Sequence, residues 1–151
     1  MDQITVVVLG DPAESALKKL DALGPGVTLK IAKTADGLGD ALADARVLYS
    51  CIGNRQEIAR IVERAPKLEW IQSRSAGLDS FLTPELIESP IPLTNGSGVF
   101  SQSLGEFVIA GALYFAKDMA RMLRSKGERR WDVFDVYELS TQTMGIVGHG
   151  D

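Results

Sequence analysis

Three segments rich in glycine and serine carry the residue types that could bind a small anion. The first is Ser73–Asp79, the second is Asn95–Ser101, and the third is Gly148-His149-Gly150. Small residues let consecutive backbone amides turn toward one point and form a nest for a carboxylate or phosphate. For the first segment, a plain β-turn in which Asp79 caps a helical turn is an equally good interpretation. The three segments therefore indicate anion binding by backbone groups.

The third segment begins a dinucleotide-binding pattern. Gly148 and Gly150 are the first two glycines of Gly-x-Gly-x-x-Gly, and they follow the apolar run Thr143–Val147 directly. In this pattern the first glycine permits a tight turn, and the second lets the backbone approach a pyrophosphate. An ordinary strand-to-turn glycine pair is the alternative. Because the third glycine and the acidic residue for the ribose are not in the sequence, we expect these 151 residues not to complete the site.

The reactive side chains elsewhere indicate little chemistry. Cys51 ends an apolar run with no histidine near it in sequence, which favours a buried apolar role over a nucleophile. Arg74 lies within the first segment and could pair with an acidic substrate, although a surface ion pair is the commoner role. With one cysteine and one histidine, a Cys/His zinc site is not available, and we expect no metal.

Composition limits the class of partner. The chain has a net charge of −4, with 45% hydrophobic and 24% charged residues, which is typical of a globular domain with a core. The negative charge makes nucleic acid and membrane surfaces poor partners. No apolar run approaches the ~20 residues of a membrane-spanning helix. The sequence lacks a signal-peptide pattern and has one cysteine, so we expect a cytoplasmic protein.

Strand and helix patterns alternate along the first 100 residues. Asp11 before Pro12 predicts the start of a first helix, and Asn54 with Glu57 three residues later predicts a capping box. Apolar, β-branched runs predict strands at 4–9, 27–31, 47–51, 68–72 and 91–94. This alternation predicts an α/β fold, a flavodoxin-like parallel five-stranded sheet with helices on both faces.

A longer helix and a further strand are predicted after this sheet. Helical spacing of apolar residues, among them Leu104, Phe107 and Phe115, predicts one long linking helix from Ser101 or Ser103 to Gly127. We interpret this apolar stripe as a packing face. The run 143–147 predicts a buried strand, the first of a second, Rossmann-type sheet that is truncated in this sequence.

These segments, in this order, resemble the D-isomer-specific 2-hydroxyacid dehydrogenase family, which includes D-3-phosphoglycerate, glyoxylate/hydroxypyruvate and formate dehydrogenases. The resemblance covers nearly the whole chain and rests on Leu68–Gln72 running into Ser75–Asp79, Gly98–Phe100, Ser103–Phe107, Trp131 and Thr143–Gly148. It implies a substrate-binding domain at 1–100, an interdomain helix at 101–127 and the start of a truncated NAD(P)-binding Rossmann domain at 128–151. The sequence is then expected to be the N-terminal part of a longer enzyme.

The resemblance implies the reaction and the substrate site. The family transfers hydride reversibly between NAD or NADP and a small 2-keto or 2-hydroxy acid. The backbone amides of Ala76 and Gly77, with Ser75 and Arg74 beside them, would bind the substrate carboxylate. The family's catalytic arginine, glutamate and histidine are expected beyond Asp151, so the 151 residues alone are expected to lack activity.

The resemblance also assigns cofactor contacts and partners. Val99 and Ser103 would lie near the nicotinamide, and Gly148 and Gly150 would face the pyrophosphate. A homodimer is expected for the full-length enzyme, and the apolar surface of the fragment could drive self-association.

Two alternatives remain open at this point. The chain could be a stand-alone module, derived from the same family, that binds a small acid or another protein. A flavodoxin-like receiver or flavin carrier is disfavoured, because the first strand is not followed by the paired acidic residues of a receiver.

Overall fold

The structure is a computed structural model that describes residues 3–148. The chain divides into two compact units, one ending at Ser97 and the other beginning at Gly98. No helix among the described residues is long and apolar enough to cross a membrane.

The first unit is built on a parallel sheet of five strands. Their order in the sheet is β2-β1-β3-β4-β5. The bounds are Ile4–Leu9 for β1, Val27–Ala32 for β2, Ala45–Ser50 for β3, Trp70–Ser73 for β4 and Leu93–Thr94 for β5. This is the flavodoxin-like order, so the predicted α/β fold is confirmed. The edge strand β5 is short because Pro90 and Pro92 precede it and lack the N–H groups that a ladder needs.

The connections between the strands are helical. A 3₁₀ helix at Ser15–Leu23 follows β1, and a second at Gly39–Asp44 follows the short helix α1 at Ala35–Leu38. Helix α2 spans Arg55–Arg64, and helix α3 spans Pro84–Ile87.

The prediction that Asp11 and Pro12 begin an α-helix is wrong. The Asp11 carboxylate accepts a hydrogen bond from the Ala13 N–H at 3.0 Å, which closes a tight turn ahead of the helix. The helix begins at Ser15 and is of the 3₁₀ type. Because the capping group of Asp11 is engaged in the turn, it does not cap a helix.

The predicted capping box of α2 is half right. The side-chain oxygen of Asn54 accepts the N–H groups of Gln56 and Glu57 at 3.1 and 3.3 Å, as an N-cap should. The Glu57 carboxylate does not close the box; it accepts the N–H of Ala35 and bonds Arg60. Glu57 therefore ties α2 to the first turn of α1.

The two faces of the sheet are covered unequally. On one face α1, α2 and α3 enclose a core that includes Leu48, Ile58, Ile61, Ile71 and Phe81, each fully buried. On the other face the buried cluster found among the described residues consists of Val8, Leu17 and Cys51. Helical segments thus lie on both faces, as predicted, but the second face keeps an apolar cleft of about 590 Å³ beside the first 3₁₀ helix.

In the second unit, the predicted long helix is interrupted. Helix α4 spans Ser101–Ala116, and helix α5 spans Met119–Gly127. Between them Asp118 adopts a left-handed conformation with φ of 44° and accepts the N–H of Arg121, which makes it the N-cap of α5. Asp tolerates this conformation and is a preferred N-cap residue, so the chain ends one helix and begins another there.

The predicted strand at 143–147 does not form. Residues 142–148 have no strand or helix assignment, and Met144, Ile146 and Val147 are exposed. A strand requires a neighbour to satisfy its backbone hydrogen bonds, and residues 98–148 contain no other strand. The apolar stripe of α4 is also not buried in the structure as described, since every residue of the helix is at least partly exposed.

Candidate functional site

The first anion-binding segment lies at the carboxyl edge of the sheet. Ser75, Ala76 and Gly77 follow β4 after Arg74 and are exposed. Open α/β sheets bind their ligands at this edge, outside the carboxyl ends of the strands. We refer to residues 74–79 as the β4 loop.

Ser73 shapes the beginning of the β4 loop. Its side chain is fully buried, and its hydroxyl accepts the N–H of Ser75 at 3.1 Å and donates to the Ser75 carbonyl at 3.2 Å. The N–H of Arg74 donates to the carbonyl of Ser50 at 2.9 Å, which extends the contact with β3. The loop therefore leaves the sheet from a fixed point.

The structure brings the second segment against the first. The Asn95 side-chain amide donates to the Ala76 carbonyl at 2.7 Å, and the Gly96 N–H donates to the Ser75 carbonyl at 3.0 Å. The N–H groups of Ala76 and Gly77 have no hydrogen-bond acceptor among residues 3–148. Two consecutive exposed amides are thus free to donate to a ligand.

Arg74 points to the other side of the sheet edge. Its guanidinium forms an ion pair with Glu14 and donates to the carbonyl of Cys51 at 3.2 Å. The hydrogen bond with Glu14 raises the pKa of Arg74 above its ordinary value. Side chains alternate along a strand, and Trp70, Gln72 and Arg74 together line the apolar cleft on the second face. The guanidinium already has an acidic partner, which is the ion-pair role considered from the sequence.

Cys51 is a buried thiol. Its side chain belongs to the small cluster on the second face and is 6% exposed. Burial raises the pKa of this thiol, so it stays protonated at neutral pH. His149 lies outside the described residues. The structure gives Cys51 the apolar role that the sequence favours.

The residues assigned to a nucleotide cofactor lie in the second unit. Val99 is exposed in the turn before α4, and Ser103 is exposed in the first turn of that helix. Gly148 has a φ of 87°, and a side chain there would meet no neighbouring atom. Gly150 lies outside the described residues. A pyrophosphate site of this type needs a strand, a tight turn and a helix in succession, and residues 98–148 contain no strand. These residues alone therefore do not form such a site.

Sequence reasoning did not single out Asn95 and Gly96. Both belong to the predicted second segment, but its role was assigned to the run of small residues as a whole. The available signal was the Asn-Gly pair directly after an apolar run, because these residue types favour turns and close backbone approach.

Comparison with known sequences gives one curated relative. No family model matches the chain. A glyoxylate reductase from Korarchaeum cryptofilum (strain OPF8) is 30% identical over 101 residues. The match covers 61% of this chain and 30% of that protein.

Solved structures share the fold over most of the chain. A D-isomer-specific 2-hydroxyacid dehydrogenase family protein from Klebsiella pneumoniae 342 is 26% identical with a TM-score of 0.68, and the match covers 93% of this chain and 43% of that chain. An NADPH-dependent glyoxylate/hydroxypyruvate reductase from Sinorhizobium meliloti, in complex with citrate, is 16% identical with a TM-score of 0.73, covering 95% and 45%. A D-isomer-specific 2-hydroxyacid dehydrogenase from Xanthobacter autotrophicus Py2, in complex with NADPH and MES, is 24% identical with a TM-score of 0.63, covering 90% and 42%. The chain spans less than half the length of each.

Proposed function

Because the chain resembles D-isomer-specific 2-hydroxyacid dehydrogenases over less than half of their length, we propose that it is the N-terminal, substrate-binding portion of such an enzyme. The proposed reaction of the whole enzyme is reversible hydride transfer between NAD or NADP and a small 2-keto or 2-hydroxy acid. The observation that supports this most directly is the pair of acceptor-free amides at Ala76 and Gly77 in the β4 loop.

The β4 loop suits the carboxylate of a 2-keto acid. A carboxylate presents two oxygens on one side, and two consecutive N–H groups can each donate to it. Hydrogen bonds to an ionised acceptor are stronger than those between neutral groups. In this proposal Ser75 contributes to the shape of the loop, and Arg74 begins the loop while its guanidinium stays paired with Glu14.

A nicotinamide cofactor is part of the function that we propose for the whole enzyme. NAD or NADP would supply or accept the hydride, with Val99 and Ser103 toward the nicotinamide and Gly148 and Gly150 toward the pyrophosphate. In this proposal the catalytic arginine, glutamate and histidine lie outside these 151 residues. We therefore propose that the 151 residues alone do not catalyse hydride transfer. From the family resemblance we also propose that the whole enzyme is a homodimer.

An anion titration of the 151-residue protein tests the proposed site. We expect oxamate, a stable carboxylate analogue of a 2-keto acid, to shift the NMR signals of the Ala76 and Gly77 amides saturably at constant ionic strength. Acetamide, which lacks the carboxylate, is the control and should leave them unchanged. Oxamate shifts that do not saturate, or that fall only elsewhere, would contradict the proposal.

A turnover assay tests the expected inactivity. With glyoxylate and NADH or NADPH, the 151-residue protein should consume reduced cofactor no faster than buffer. Turnover above that background would show that these residues carry a complete catalytic site.

A protein-interaction module is the second candidate. The exposed apolar surface of α4, which includes Phe107 and Phe115 at 75% and 81% exposure, favours it. Mass spectrometry of the protein from its native source separates the two. A mass of about 35 kDa, as two domains suggest, supports the enzyme, whereas 16.3 kDa supports the module.

A further inference from the structure

We propose that Asn95 is a positioning residue that aims the backbone amides of Ala76 and Gly77 at the bound carboxylate. Gly96 makes this possible by letting the two loops approach. The inference rests on the proposed function, because it assigns Asn95 a role in that same carboxylate site.

Two consecutive carbonyls of the β4 loop are held by two consecutive residues after β5. The Asn95 Nδ2 atom lies 2.7 Å from the Ala76 carbonyl oxygen, and the Gly96 nitrogen lies 3.0 Å from the Ser75 carbonyl oxygen. The pairing of β4 with β5, with Gln72 opposite Thr94, sets the register that brings these groups together.

The planarity of the peptide bond turns these contacts into an orientation of the amides. In a trans peptide unit, the carbonyl and the N–H of the next residue point in opposite directions. Holding the Ser75 carbonyl therefore turns the Ala76 N–H away from residues 95–96. Holding the Ala76 carbonyl does the same for the Gly77 N–H. These are the two N–H groups without an acceptor among the described residues.

Gly96 is required by the close approach of the two backbones. A Cβ atom at this position would lie 2.6 Å from the Arg74 carbonyl oxygen, which is backbone and cannot rotate away as a side chain could. Asn95 itself is exposed, so its side chain is not needed to fill the core. Its bond to Ala76 is thus separable from the packing of the unit.

An exposed loop binds an anion less tightly when its amides sample several orientations. The apparent dissociation constant rises by the inverse of the fraction of molecules with the correct orientation. Loss of one such hydrogen bond corresponds to roughly a five- to tenfold change in that population. Asn95→Ala should therefore weaken oxamate binding by about that factor.

The matched control is Thr94→Val. Thr94 is the neighbouring residue and makes side-chain hydrogen bonds to Trp70 and Gln72, but none to residues 75–77. Both variants lose side-chain hydrogen bonds at the same edge of the sheet. The Asn95 side chain also accepts the Ser97 N–H at 3.4 Å, so an effect confined to Asn95→Ala reports the contacts of the Asn95 side chain and not a general loosening of β5.

Two measurements on the 151-residue protein test the proposal. Residual dipolar couplings of the Ala76 and Gly77 N–H bonds, without ligand, should change in Asn95→Ala and stay as in the wild type in Thr94→Val. The oxamate dissociation constant should rise in Asn95→Ala, with the melting temperature unchanged, and stay constant in Thr94→Val. Gly96→Ala, where it folds, should reproduce both changes.

The outcomes separate this inference from the proposed function. Unchanged couplings in Asn95→Ala, or equal oxamate affinity for wild type and Asn95→Ala, would overturn the positioning role while the carboxylate site stands. If the wild type itself does not bind oxamate, the proposed function fails and the positioning role fails with it.

Discussion

The guanidinium of Arg121 holds the carboxylate of Asp132 through two hydrogen bonds, with Nε 2.7 Å from Oδ2 and Nη2 2.8 Å from Oδ1. The hydroxyl of Ser125 donates to the same carboxylate at 2.9 Å, and Arg130 lies 3.2 Å from it. These contacts, with Arg121 the largest contributor, hold the pKa of Asp132 well below its ordinary value. The segment after α5 is thereby fastened back onto that helix.

Acid should release this segment. The folded pKa of Asp132 is depressed, so its contribution to stability is fully present above the ordinary aspartate pKa of about 3.9 and is lost as the pH falls below it. We expect the NMR signals of residues 119–134 to broaden or move as the pH falls below about 4 in the wild type, and the change to continue below pH 2. Asp132→Asn should lack this pH-dependent change, and its NMR signals at pH 7 should already resemble those of the acid form of the wild type. An identical acid response in both proteins would contradict the assignment.

Loss of the α2 cap should destabilise the first unit. Asn54→Ala removes the acceptor for the Gln56 and Glu57 N–H groups, and such a change costs about 1 kcal/mol. Asn54→Asp keeps the acceptor and should retain most of the stability. Urea denaturation of the three proteins measures the difference. If Asn54→Ala and Asn54→Asp unfold at the same urea concentration, the cap has no energetic role.

Substitutions at Gly53 and Ser80 should have non-additive effects on the free energy of unfolding. A Cβ atom on Gly53 would lie 1.9 Å from the Ser80 hydroxyl oxygen and 2.7 Å from the Ser80 Cβ. Gly53→Ala alone should therefore destabilise the unit by roughly 1–3 kcal/mol, as overpacking does. In a Ser80→Gly background the same change should cost much less, because the clashing side chain is gone. Additive effects in this double-mutant cycle would show that the two residues do not collide.

Cys51 should resist thiol reagents. The thiol is buried, and burial raises its pKa, so both access and the thiolate fraction are low at pH 7. A disulfide-exchange reagent should label the native protein at least tenfold more slowly than the urea-unfolded protein, with the native rate increasing at higher pH. Equal native and unfolded rates would show that the second face of the sheet opens readily.

The apolar surface of α4 should drive self-association of the 151-residue protein. Burying an exposed aromatic side chain contributes about 1.5–3 kcal/mol, so Phe107→Ser should weaken association by at least tenfold. Trp131→Ser is the control, since Trp131 is 93% exposed but is not on α4. Sedimentation velocity over a concentration series measures the effect. If the wild-type protein is a monomer at all concentrations, the prediction is wrong.

The sequence was informative where structure depends on neighbours along the chain. The apolar run at 4–9 became β1 without change, and Asn54 capped α2 as its residue type predicts. The α4–α5 break was missed because helical spacing continues across Asp118, whose left-handed conformation has no signature in the apolar pattern.

The features that the sequence did not predict depend on residues that are far apart along the chain. Arg74 pairs with Glu14, and Asn95 donates a hydrogen bond to Ala76. The residues of each pair are far apart in the sequence, so a local sequence pattern does not predict the contact. The run 143–147 has the composition of a strand, yet composition cannot provide the neighbouring strand that it needs. Only the three-dimensional arrangement shows which small-residue segments meet.

The hydrogen bond between the Trp70 indole N–H and the Thr94 hydroxyl, 2.8 Å long, has a practical consequence. It joins a partly exposed fluorophore to the residue immediately before Asn95. In a Trp131→Phe background, the emission of Trp70 becomes an intrinsic optical reporter of this edge of the sheet. Thr94→Val removes this hydrogen bond, so we expect the emission spectrum of Trp70 in that background to differ from that of Trp131→Phe alone, without any attached label.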